Sequence, residues 1–83
     1  MRGNALLASV DVVSARLYFE QAANVGDGRA AMLMGASYEP AFLGRAGARG
    51  MRGDTAYAAT WYRRARDLGK AEAANLLTGL DAK

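Results

Sequence analysis

Residues 11–34, DVVSARLYFEQAANVGDGRAAMLM, align without a gap on residues 54–77, DTAYAATWYRRARDLGKAEAANLL, at a shift of 43. Seven of the 24 positions are identical. Chance can supply that many in an alanine-rich chain, so their placement decides what they mean. They fall where a helical hairpin makes its demands. Asp11 and Asp54 stand where a carboxylate can accept from the free N–H groups of a first helical turn and meet the positive end of the helix dipole. Apolar residues then recur at helical spacing: Ala15, Tyr18, Phe19, Ala22 and Val25 in one copy, Ala58, Trp61, Tyr62, Ala65 and Leu68 in the other. Each first helix is therefore expected to bury one face. Gly26 and Gly69 follow directly, where a left-handed cap costs least for a residue without Cβ. A second helix starts within two or three residues, carrying Ala30, Leu33, Met34 and Tyr38 in the first copy and Ala73, Leu76, Leu77 and Leu80 in the second. A link that short makes an antiparallel hairpin.

The composition agrees with closely packed helices. Apolar residues make up 52% of the 83, much of that alanine, and aromatics only 8%. Alanine favours helix and lets helix axes approach. A chain of this length is one domain with a modest core. It contains no Cys and no His, which removes disulfides, thiol nucleophiles, the usual zinc sites and the commonest general base. No apolar run approaches the roughly 20 residues needed to cross a bilayer, and Asn4 and Asp11 interrupt the N-terminal one.

Helices are expected near 3–9, 11–25, 28–39, 54–68 and 71–80. The single domain then divides into a preceding half-repeat helix (1–10), a first repeat (11–39), a Gly/Arg-rich connector (40–53) and a second repeat (54–80). Val10 is β-branched and resists a positive φ, so between the helices expected near 3–9 and 11–25 either the turn is of another kind or the two run on with only a kink. Pro40 closes the preceding helix and suits the first position of a new one. The stretch PAFLGRAG can form one or two helical turns with Phe42 and Leu43 packing down. Gly47, Gly50 and Gly53 follow at three-residue spacing with arginines between them.

The motif Ala58, Trp61-Tyr62, Ala65, Gly69, Ala71-x-Ala73 and Leu77 resembles the Sel-one-like repeat, a relative of the tetratricopeptide repeat found in bacteria and eukaryotes. The earlier copy has Ala15, Tyr18-Phe19, Ala22, Gly26, Ala30, Met34-Gly35 and Tyr38. The resemblance covers about residues 11–80. It implies an all-α fold, an α/α solenoid of antiparallel helical hairpins. It also implies a non-catalytic scaffold or adaptor that binds a peptide or partner protein, often in bacterial signalling, envelope and secretion contexts.

The net charge of +3 is uneven, with six arginines between positions 45 and 66 against one acid, Asp54. Arg45, Arg49, Arg52, Arg63, Arg64 and Arg66 are accordingly the candidate partner-binding residues, steering acidic partners to the surface. Arg63 and Arg64 have Glu20 and Gln21 as counterparts, so the surface changes between copies while the apolar positions do not. The alternative is a small basic nucleic-acid-binding protein, with Trp61 and Tyr62 stacking on bases beside those arginines. The first copy argues against it, because Tyr18 and Phe19 occupy the same places without arginines. No acids are spaced as a catalytic motif, no P-loop ending is present, and no cofactor or metal is implied. No compartment is legible: a natural start at Met1 would suit the cytoplasm, and excision from a longer envelope protein would suit the periplasm. Fewer than three repeats seldom hold alone. The chain is thus expected to self-associate through an end hairpin or to belong to a longer parent.

Overall fold

Three helices of the chain end in the same way. At Gly26, Gly47 and Gly69 the backbone turns left-handed, with φ of 100°, 78° and 99°. Each glycine N–H donates to the carbonyl three residues back, and the next residue's N–H donates to the carbonyl five back. These are Asp27 to Ala22, Ala48 to Leu43 and Lys70 to Ala65, at 2.9 to 3.1 Å. The paired bonds satisfy carbonyls that a helix end otherwise leaves open. These stops define most of the elements in a computed structural model that describes residues 2–48 and 50–81, with side chains for 9–48 and 50–80.

The described residues form five helices and no strand: α1 (Arg2–Asn24), α2 (Gly28–Ala36), α3 (Pro40–Arg45), α4 (Thr55–Asp67) and α5 (Glu72–Asp81). Asp27 Oδ1 accepts from Ala30 N at 3.1 Å and Asp54 Oδ1 from Tyr57 N at 3.0 Å, opening α2 and α4. Pro40 begins α3, where its missing N–H costs nothing. Each major helix packs on the next: α1 on α2, α2 on α4, α4 on α5. Their core is small in residue size, with Ala23, Ala30, Ala31, Met34, Ala58, Trp61, Tyr62, Ala65, Ala73 and Leu80 buried together. A satellite cluster of Val12, Leu43 and Ala48 holds α3 against α1, with Phe42 and Met51 at its edge.

The tightest approach lies between α2 and α4. A Cβ at Gly35 would sit 2.7 Å from Tyr62 Cε1 and 3.0 Å from the Ala58 carbonyl. Only glycine lets the ring lie there. Two further bonds hold the same seam: Asp54 N donates to Tyr38 O at 2.8 Å, and the Tyr62 hydroxyl donates to Glu39.

Four expectations need correction. The segments 3–9 and 11–25 are one helix, because Val10 does not take a positive φ and no proline or glycine cap interrupts them. Asp11 consequently lies inside α1 and opens nothing. The helix expected over 28–39 stops at Ala36, since Pro40 forces Glu39 into an extended conformation (φ −75°, ψ 130°) and Ser37 closes the last turn. The equivalent faces of α1 and α4 are not equally buried. Trp61 is 6% exposed and its counterpart Tyr18 is 69%, because α4 packs between α2 and α5 whereas no helix among the described residues covers the outer side of α1. Leu68 is half-covered and Val25 stands out in solvent.

Gly35→Ala should cost about 1–3 kcal/mol by overpacking and lower the midpoint of a thermal melt followed by circular dichroism by at least several degrees. Gly79→Ala, inside α5 with nothing near its missing Cβ, should be neutral or stabilising by up to about 1 kcal/mol. Equal melting of Gly35→Ala and wild type would contradict the α2–α4 contact.

Candidate functional site

α1 and α4 both lean on α2, and the space between them is a groove of about 230 Å³. Its α1 wall is Val13, Arg16, Leu17 and Glu20, which share one side of the helix at i, i+3, i+4 and i+7. Met34 and Tyr38 form its floor, and Tyr57 of α4 stands opposite. Val13, Leu17 and Tyr57 are all exposed large apolar residues. A shallower hollow of about 140 Å³ continues along α4 over Tyr57, Thr60, Trp61 and Arg64.

An aromatic row runs through both. Tyr38 meets Tyr57 edge to face at 4.7 Å between ring centres, and Tyr57 meets Trp61 at 6.2 Å. Each such pair is worth roughly 0.5–1.5 kcal/mol beyond burial. An arginine caps each end: Arg16 Cζ lies 3.7 Å from the Tyr38 ring centre and Arg64 Cζ 5.2 Å from that of Trp61. Both arginines are also tied to backbone. Arg16 Nε donates to Ser37 Oγ at 3.2 Å and its Nη2 to Ser37 O at 2.5 Å, so α1 closes the end of α2. Arg64 Nη2 reaches Ala23 O at 3.4 Å, across the seam to the end of α1. The Trp61 indole N–H is buried without an acceptor among the described residues.

A second hollow, of about 300 Å³, opens between α1 and α3. Val12, Ala15, Phe19 and Phe42 make it chiefly apolar, and Asp11, Ser37 and Ala46 complete its lining.

Five of the six arginines singled out in sequence are among the described residues. Arg45 ends α3 and Arg52 lies in the following loop, both exposed; Arg49 is outside the described residues. On α4, Arg63 and Arg66 are three residues apart on one face, while Arg64 is turned about 100° from Arg63 and folds over Trp61. Arg66 Nε lies 3.5 Å from its exposed neighbour Asp67. Of the five described, Arg64 lines these grooves. Arg16, Tyr38 and Tyr57 were missed. The available signal was the i, i+4, i+7 spacing of Tyr57, Trp61 and Arg64, and Arg16 set among the apolar residues Val12, Val13 and Leu17 of α1. Trp61 is too buried to stack on a base. Among the described residues no group of three or more acids, histidines or cysteines could hold a metal, and no helix is long and apolar enough to cross a membrane. Comparisons with protein families, with characterised proteins and with solved structures found no match.

Among the described residues the strongly perturbed group is Tyr62. Burial pushes its hydroxyl pKa well above the ordinary 10.0, and the hydrogen bond to Glu39 and that carboxylate's charge push the same way. The native state therefore keeps a proton that the unfolded chain releases. Stability from this residue is complete below about pH 10 and falls above it, by at most about 1.4 kcal/mol per pH unit. Urea unfolding at pH 8 and 11 should show a larger loss for wild type than for Tyr62→Phe. An equal loss in both would mean that Tyr62 is not the group responsible.

Proposed function

We propose that the chain is a non-catalytic protein-binding module, a short α/α solenoid of the tetratricopeptide kind with Sel-one-like repeats. Its ligand is a peptide or partner segment with acidic and apolar side chains, received between α1 and α4. The groove carries this reading. Val13, Leu17 and Tyr57 offer apolar contact in it, and Arg16 and Arg64 stand at the two ends of the aromatic row. Arg16 spends Nε and Nη2 on Ser37, leaving its other edge for a carboxylate. Glu20 on the same wall favours a basic group nearby, which would fix the direction of a bound segment. The order of helix packing, the matched glycine caps at 26 and 69, and the repeat at a shift of 43 support the solenoid. A volume of about 230 Å³ takes one or two side chains and not a small-molecule cofactor of ordinary size. Affinity then comes from a few anchors.

Titrating isotope-labelled protein with synthetic peptides that alternate Leu or Phe with Glu should move the amide signals of Val13, Arg16, Leu17, Tyr38 and Tyr57. Leu17→Asp should weaken that binding about tenfold or more with the helical circular dichroism unchanged. The proposal fails if shifts gather instead on Arg45, Arg52 and Arg63 and appear with a single-stranded oligonucleotide in a steeply salt-dependent manner.

A further inference from the structure

Asp11 opens no helix, and it interrupts an apolar run of α1 between Val10 and Val12. Its side chain is exposed, and among the described residues no cation pairs with it. It lines the hollow of about 300 Å³ between α1 and α3. That hollow has a simple origin in side-chain size. α3 and the turn after it are pinned to α1 where Leu43 and Ala48 meet Val12, while Ala15 and Ala46 are too short to close the gap that remains beside them. Phe19 of α1 and Phe42 of α3 both border the gap and are only half-buried.

The chemistry of the lining selects a class of ligand. Its valine, alanine and phenylalanine side chains neither donate nor accept hydrogen bonds. Ser37 is buried, its hydroxyl hydrogen is given to Met34 O at 2.6 Å, and its oxygen accepts from Arg16 Nε at 3.2 Å. The Ser37 N–H is likewise spent on Leu33 O, and that of Ala46 on Phe42 O. Among the described residues Asp11 is thus the charged side chain of the lining, and no side chain there has a hydrogen to give. An anion would meet a carboxylate and no donating side chain, and a neutral hydroxyl would leave the carboxylate charge unmatched. A protonated amine on an apolar body fits both features, with the body against Phe19 and Phe42 and the ammonium donating to Asp11. We infer that the α1–α3 hollow binds a small primary amine carrying a single ring or a branched hydrocarbon group. Its volume of about 300 Å³ is at the lower end of the roughly 300–1,000 Å³ of small-molecule sites, which sets the limit of one ring.

The α1–α4 groove, on another side of α1, is not an equivalent choice. Glu20 stands there, but Arg16 is one turn away on the same wall and repels an ammonium. The inference does not rest on the peptide-binding reading of that groove.

Three probes of similar size test it: phenethylamine, phenethyl alcohol and phenylacetate, each titrated near neutral pH into isotope-labelled protein. The amine should bind with a Kd of about 1 mM or below and move the amide signals of Val12, Ala15, Phe19, Ser37 and Ala46. The alcohol should bind about three- to fivefold more weakly, as for the loss of one exposed ion pair, and phenylacetate more weakly still. Asp11→Asn, at an exposed position, should keep the helical circular dichroism and bring the amine to the affinity of the alcohol. Ala46→Phe, also at an exposed position, should fill the hollow and weaken the binding of amine and alcohol alike. The inference is overturned by the absence of a saturable shift, by equal binding of amine and alcohol to wild type, or by an amine preference that survives Asp11→Asn. Undiminished binding to Ala46→Phe, or shifts that gather on Val13, Leu17 and Tyr57 beside Glu20, would overturn it as well.

Discussion

The contact of the Tyr62 ring with Gly35 is the constraint on which the rest of the molecule depends. It sets the spacing of α2 and α4, and the other features of the seam follow from that spacing. With the ring held there, its hydroxyl meets Glu39 just before Pro40, and the Asp54 N–H meets the Tyr38 carbonyl. The chain between those points has to return to its starting place. α3 and the left-handed Gly47 accomplish this, and Leu43 and Ala48 pin the excursion to Val12. On the opposite side of the seam the same spacing brings Tyr38 beside Tyr57 and opens the groove against α1.

Small residues make that architecture workable, and they also limit it. Alanine and glycine allow helix axes to approach closely but bury little apolar area per residue, and hydrophobic stabilisation scales with that area. The Cα atoms span 39 × 30 × 16 Å, a slab too thin to enclose many side chains. Among the described residues Tyr62 is the largest that is fully enclosed. In such a slab a helix is buried by what lies on both sides of it. α1 and α4 carry matching apolar patterns, yet α4 packs between α2 and α5 while among the described residues no helix covers the Tyr18 side of α1, and the difference between Tyr18 and Trp61 measures that.

What could be read from sequence was whatever depends on local chemistry. Gly26 and Gly69 end helices because a positive φ is cheap only there, Asp54 opens α4 because its carboxylate accepts from the Tyr57 N–H three residues ahead, and Pro40 starts α3 because it has no N–H to lose. Gly47 does the same work as the other two caps, but it was hidden among neighbouring glycines that do not turn left-handed. Asp11 misled because a cap residue needs a break before it, and Val10 supplies none. Tyr18 and Val25 misled because periodicity identifies an apolar face without saying whether anything covers it. The groove was the least legible feature. It joins residues from three helices, and Arg16 meets Tyr38 only after α1 has folded back on α2.

The arginines show why a count of charge did not locate the groove. Long-range attraction depends on net charge, and the six arginines against one acid between positions 45 and 66 make that stretch more positive than the chain as a whole. Contact depends instead on a guanidinium already held in place. An exposed arginine such as Arg52 or Arg63 loses up to about 2 kcal/mol of side-chain entropy when a ligand fixes it. Arg16 and Arg64 have lost much of that freedom during folding, through the Tyr38 and Trp61 rings and the carbonyls of Ser37 and Ala23. For an equal hydrogen bond, the restrained pair retains more of the binding energy. For the ligand proposed above, Arg16 and Arg64, already held against the Tyr38 and Trp61 rings, are therefore better placed than the arginines that extend into solvent.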